Sequence, residues 1–189
     1  MNPAQMPGYH THDGFYLRLA AGGGAAVAKD SDIRAKTSGG SFAFSAAVGG
    51  AVLENLILYG EMVAYGIPES GYNDNQLSGT SSQTLNITGF GPGMAYYFMP
   101  SNLYVSGTLL LHQISESASR NSDRTVALTD MGVGVSLMVG KEWWVSTDWG
   151  LGIAGDFFLG SAKTRADYST SDSRWTSKGF AVMFSATYN

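Results

Sequence analysis

Five polar residues stand out because they sit where a β-strand pattern would hide them: Arg18, Glu61, His112, Asp130 and Asp156. Arg18 and Glu61 carry opposite charges on two different expected strands. A charge held inside protein needs a partner, so the two are expected to meet, directly or through a neighbour, and to block the space they share. Separate solvation of each in a wet interior is the simpler alternative. His112 and Asp130 flank a polar stretch and would lie opposite each other if the intervening chain turned near Asn121. A carboxylate that orients an imidazole is the core of an acid–base site. Such a site also needs a nucleophile, and no motif marks out Ser106, Ser115 or Ser136. The pair is therefore read as structural, with no catalytic residue assigned. Asp156 is expected to join the same interior polar network.

Other chemistry is weaker still. His10 and His12 are spaced to share a metal, but two histidines in a short polar tail carry no such assignment by themselves. Gly22-Gly23-Gly24 is no phosphate loop, since no helix follows to supply an N-terminus; it reads as easing a bend in a wall. Asp30, Asp32, Asp167 and Asp172 lack the spacing of a calcium loop. The sequence thus calls for no cofactor and no metal.

The elements that must position these residues are strands. From Trp149, one parity runs Trp149, Leu151, Ile153, Gly155, Phe157, Leu159, and the other Gly150, Gly152, Ala154, Asp156, Phe158. Alternate residues of a strand point to opposite faces. One face is apolar and the other small, with one carboxylate. The same split recurs in Gly14–Ala25, Ser41–Val52, Leu56–Tyr65, Leu103–Ile114, Thr125–Val139 and Gly179–Tyr188. A further strand over Thr84–Met99 cannot be phased at Tyr96 and Tyr97, and Pro92 predicts a bulge or sharp bend there. Eight strands of roughly ten residues suit a bilayer crossing. Long polar connections follow the first, third, fifth and seventh strands, and short ones follow the others, as in a transmembrane barrel.

Of 26 charged residues, only Arg18, Glu61, Asp130 and Asp156 fall inside the expected strands, all on the small or polar parity. A lipid-facing Arg or Lys at mid-depth costs about 2–4 kcal/mol, which explains that placement. The fold class read from this is all-β: an eight-stranded antiparallel up-and-down transmembrane β-barrel over 14–189, after a short polar tail over 1–13. Trp143, Trp144, Trp149 and Tyr188 are expected to form an aromatic girdle at the membrane interface. Eight strands leave room inside for side chains but not for a wide pore.

Composition agrees. The chain has 189 residues, 25 glycines, no cysteine and 14% charged residues, against about 25% in ordinary soluble domains. There is no disulfide framework and no thiolate site. The net charge of −4 argues against nucleic acid as a partner. The N-terminus lacks a basic start and an apolar core, so Met1 is expected to be an introduced start or to lie near a mature end left by cleavage. Gly60, Gly107 and Gly155 on the apolar parity suit close packing against a partner, and equally suit lipid.

Over Gly14–Tyr188, the strand count, the loop asymmetry, the turn Gly140-Lys-Glu-Trp-Trp144 and the closing strand Phe180–Tyr188 (FAVMFSATY) resemble the small eight-stranded outer-membrane barrels, the OmpA/OmpX/OmpW-like group. The resemblance implies a Gram-negative outer-membrane location. It also implies outer-membrane lipids as neighbours and the barrel assembly machinery as a partner during biogenesis, engaged through that last strand. Family members usually end on an aromatic; here Asn189 follows Tyr188. The functional expectation is a non-enzymatic barrel with a structural or surface-interaction role, alone or in a larger envelope assembly with a protein partner or a second copy. The alternatives are a narrow or gated channel for small or hydrophobic solutes, a lipid-modifying barrel enzyme, and a soluble lipocalin-like binder with the faces inverted.

Overall fold

A computed structural model describes residues 11–31, 36–69, 82–119, 123–165 and 173–189. It contains nine strands: β1 (Phe15–Asp30), β2 (Lys36–Leu53), β3 (Leu56–Glu69), β4 (Ser82–Phe98), β5 (Leu103–Ser119), β6 (Asp123–Ala127), β7 (Gly132–Trp144), β8 (Trp149–Lys163) and β9 (Arg174–Tyr188). Each pairs antiparallel with its neighbour in the chain, except that β6 and β7 both pair with β5. Those two are consecutive pieces of one stave. β9 returns to pair with β1, from Leu17↔Tyr188 to Asp30↔Trp175. The wall therefore has eight staves and no free edge, the only sheet that can stand in hydrocarbon.

The faces follow the alternation in the sequence. Outward residues are large and apolar: Phe42 and Phe184 are each 74% exposed and Leu109 70%. Inward residues include Arg18 at 0% and Glu61 at 4%. A soluble protein would reverse this arrangement, so the lipocalin-like reading is set aside. Tyr97 points inward and is buried, while Tyr96 is exposed and meets Phe98 edge-on, with ring centroids 5.0 Å apart.

Three expectations about the wall are corrected. First, most of the supposed loop over Ala26–Gly40 is strand, and β1 and β2 stay paired up to Lys29↔Lys36. The β2 strand has 18 residues, whereas a tilted crossing needs about 9–11. Beyond the hydrocarbon both faces can be polar, so the period of two fades while the backbone ladder persists. Second, Pro92 inserts no bulge. The β3–β4 register runs through it unbroken, and β4–β5 keeps one register on either side of an unpaired Gly91-Pro92 step. Third, the expected strand over Thr125–Val139 is broken. Ala127 pairs with Ser115 and Gly132 with His112, so four residues (128–131) oppose two on β5. Thr129 fills the break: its Oγ1 accepts from the Ile114 N–H at 3.0 Å.

Candidate functional site

The polar centre of the lumen is built on one rung of the wall. Arg18 pairs with Ala47, and Ala47 with Glu61. Ala47 is too small to separate them, so the two long side chains meet across it. Arg18 Nη2 donates to Glu61 Oε1 at 3.1 Å. Its Nη1 donates to Ser106 Oγ at 3.3 Å. The guanidinium carbon lies 5.5 Å and 5.3 Å from the ring centres of Tyr59 and Tyr104, close enough for cation–π attraction. Glu61 also accepts from Ser45 and from Thr108. A buried ion pair is tolerable only when such additional hydrogen bonds complete it.

Asp156 does not reach Arg18. It accepts from Ser136 Oγ at 2.6 Å and from the Tyr65 hydroxyl, forming a second cluster. A third, missed at the sequence level, is Glu142, buried and accepting from Thr187 Oγ1 at 2.6 Å. Its place in a Trp-rich stretch of mixed polarity made it look like turn. The only available signal was its parity with Ser136, Met138 and Gly140.

The expected pair of His112 and Asp130 is not formed. His112 is fully buried, on a rung with Gly89 and Gly132, its ring edge-on to Phe158 at 5.5 Å. Asp130 is exposed and lies in the break between β6 and β7, its N–H bonded to the Lys163 carbonyl at 2.9 Å. Within that break the alternation is interrupted, with Thr129 buried and Asp130 exposed, so Asp130 lies outside the lumen network. Of the three serines, Ser106 binds Arg18, Ser136 binds Asp156, and Ser115 stands opposite Ala127.

The aromatic girdle is also revised. Trp143, Trp149 and Tyr188 face outward, with Trp149 and Tyr188 ring centres 5.4 Å apart. Trp144 cannot join them, because successive residues of β7 alternate. It turns toward the barrel mouth and lies 5.1 Å from the ring of His12.

His12 closes that mouth. The sequence places it in a short polar tail, yet it is 1% exposed. Its ring stacks on Tyr97 at 3.7 Å. Nδ1 lies 2.6 Å from the Asn189 amide oxygen, and Nε2 lies 3.0 Å from that of Asn102. The carbonyls of His12 and Gly14 accept from the N–H groups of Asn55 and Ala51 at 3.0 and 2.9 Å. Burial pushes the imidazole below its ordinary pKa, against the raising effects of both asparagines and of Asp13. His10 lies outside the described residues. Among the described residues, no group of three or more histidine and acidic side chains is disposed to hold a metal ion.

No family model and no curated protein matches the chain. Solved structures do. The crystal structure of Neisserial surface protein A aligns over 93% of this chain and 97% of its own, with a TM-score of 0.52 and 17% identity. The crystal structure of the outer membrane protease OmpT from Escherichia coli aligns over 97% and 99%, with a TM-score of 0.50 and 7% identity. At such identities the likeness is one of fold. Taken with the closed wall and the apolar exterior, the chain is an eight-stranded transmembrane β-barrel of the bacterial outer-membrane type.

Proposed function

We propose that this protein resides in the outer membrane as a closed, non-enzymatic barrel, serving the envelope as a structural and surface-interacting element. The observation that carries this reading is the filled lumen. Arg18 and Glu61 cross it with Tyr59 and Tyr104 packed against them, and His12 with Tyr97 caps the mouth. A solute would have to part a hydrogen-bonded ion pair buried on every side. The strands projecting past the membrane, such as β2 with 18 residues, offer paired backbone as a rigid mount for the outer connections. The partners in this reading are outer-membrane lipids, the barrel assembly machinery during biogenesis, and a protein or second copy at the surface. Outward Gly60, with nothing within 4 Å of where a Cβ would stand, leaves room for close approach.

Planar-bilayer recording tests the closed lumen. The purified barrel is expected to show no stable conductance at neutral pH. Sustained openings of uniform size in the native protein would establish the channel alternative instead. Incubation with a peptide library and with outer-membrane lipid extract tests the absence of catalysis; the expected result is unchanged peptide and lipid profiles. New cleavage products would reject that part of the reading.

A further inference from the structure

The segment that crosses the short-turn mouth, residues 11–14, is held unlike the wall beside it. From Phe15 onward β1 is paired with β2, and from Leu17 with β9. The strap before it has no such ladder. Its His12 and Gly14 carbonyls are held by the Asn55 and Ala51 N–H groups, and the His12 side chain turns into the barrel. Asp13 and Gly14 are exposed, with nothing within 4 Å of where a Gly14 Cβ would stand. A segment with so few buried contacts opens locally at far less cost than global unfolding. Yet the His12 ring joins distant parts of this end. Its nitrogens reach Asn102 in the β4–β5 turn and Asn189 beyond β9, and the ring meets Tyr97 and Trp144. The Asn189 N–H donates in turn to the Asp148 carbonyl of the β7–β8 turn at 3.0 Å. Withdrawing His12 therefore removes a common tie among the connections at this mouth.

Next to Trp144 on the inward face of β7 stands a carboxylate. Glu142 is 1% exposed. Its Oε1 accepts from Thr187, and its Oε2 has no hydrogen-bond partner among the described residues. A Cβ placed on Gly150 would meet Oε2 at 3.2 Å, and Gly150 is the residue paired with Trp144. This oxygen is thus turned toward the mouth, across a glycine that presents no side chain of its own. The lumen cation Arg18 is committed elsewhere, since its two Nη atoms bind Glu61 and Ser106. Residues 1–10 hold no Lys, Arg, Asp or Glu, and the other undescribed segments join strands at the opposite end of the barrel. At the rim Asp13, Glu54 and Asp148 are exposed, while Lys141 lies on the outward face and donates to the Ser101 carbonyl at 2.5 Å.

We propose that residues 11–14 form a removable stopper, and that withdrawing it opens a vestibule in which Glu142 binds a small alkylammonium cation. Arg18 and Glu61 stay in place as its floor, so the cation enters and leaves by the same mouth. The rings of Tyr97 and Trp144, which His12 vacates, attract the same charge through their faces. The carboxylates at the rim raise its local concentration. The inference rests on the closed-lumen reading and adds to it a site at the mouth.

The chain has no cysteine, so Ser185→Cys supplies a single thiol, on the rung that Glu142 shares through Gly152. Two thiol reagents of similar size and opposite charge, trimethylammonioethyl and sulfonatoethyl methanethiosulfonate, are applied to the folded barrel in uncharged detergent. Each rate is divided by that on the same chain unfolded in urea. With the strap in place both reagents are expected to be excluded. Adding His12→Gly is expected to raise the rates about thirtyfold, the effect of losing two side-chain hydrogen bonds. The opened vestibule is expected to favour the cationic reagent about tenfold, and Glu142→Gln to abolish that preference. Ala95→Cys, buried one inward step above Tyr97 on β4, is the second reporter should Ser185→Cys fail to fold. Heat-modifiable migration on gels checks every variant. Rates unchanged by His12→Gly overturn the stopper. A cationic preference that is absent, or that survives Glu142→Gln, overturns the site. A native barrel that conducts in bilayers would reject the closed lumen separately, through a readout these rates do not share.

Discussion

Arg18 is the residue whose environment is most completely specified, and its removal separates two effects. Arg18→Met alone leaves Glu61 buried with only hydroxyl partners, and breaking a buried pair from one side costs about 3–5 kcal/mol. Adding Glu61→Gln removes the stranded charge and is expected to restore most of that loss. The fraction of heat-modifiable barrel across a urea series reads both; a double variant no more stable than the single one would show that Arg18 acts by packing alone. His12 makes a pH prediction. Its docked ring has a lowered pKa, so the folded mouth favours the neutral form. The stability this provides is complete above the ordinary imidazole pKa and is lost as pH falls through that value toward the lower docked one. Amide exchange at Asn55 and Ala51, which bond the His12 and Gly14 carbonyls, should accelerate beyond its intrinsic rate over that window. His12→Phe keeps the stack and cannot titrate, so its profile should be flat; an identical acid response would place the cause elsewhere. The meeting of Arg18 and Glu61 was foreseeable from burial and charge. The docking of His12 was not, because a histidine before the first strand carries no period, and its partners Tyr97, Asn102 and Asn189 lie far away in sequence.

Among elements, the inward and outward faces were legible along most strands, the exceptions being Tyr96 and Tyr97, Asp130 and Trp144. One mid-depth charge on the lipid side is costly enough to leave a clean alternation. The length of the strands was less so. Residues such as Lys29, Lys36 and Thr176 look like loop by polarity, yet they continue the ladder, since hydrogen bonding does not depend on which side chains project. The break between β6 and β7 was hidden for a related reason. Met131 and Val133 keep the apolar parity across it, so nothing in the pattern announces two additional residues. Thr129 is expected to be what holds that break in place. Thr129→Val deprives the Ile114 N–H of its side-chain acceptor; a buried donor left unsatisfied costs about 1–3 kcal/mol. The result should be faster exchange at Ile114 with little change in the amides of β1 and β9. Uniform acceleration around the barrel would mean instead that the break is coupled to the whole wall.

For the molecule as a whole, closure was inferable and the register was not. A bilayer admits no open sheet, so eight alternating segments implied a ring. Which residue stands beside which depends on shear, and no single strand encodes it. That is why Arg18, Ala47 and Glu61 could not be set on one rung beforehand. β9 is the immediate neighbour of β1, and His12 reaches Asn189 across 177 positions of sequence. Contacts so remote in sequence form slowly. Every other pairing joins strands close in sequence, but the β1–β9 seam does not. Without β9, β1 presents an unpaired edge. Without that seam the other pairings leave an open ribbon, so the ring depends on one pairing between the strands most distant in sequence.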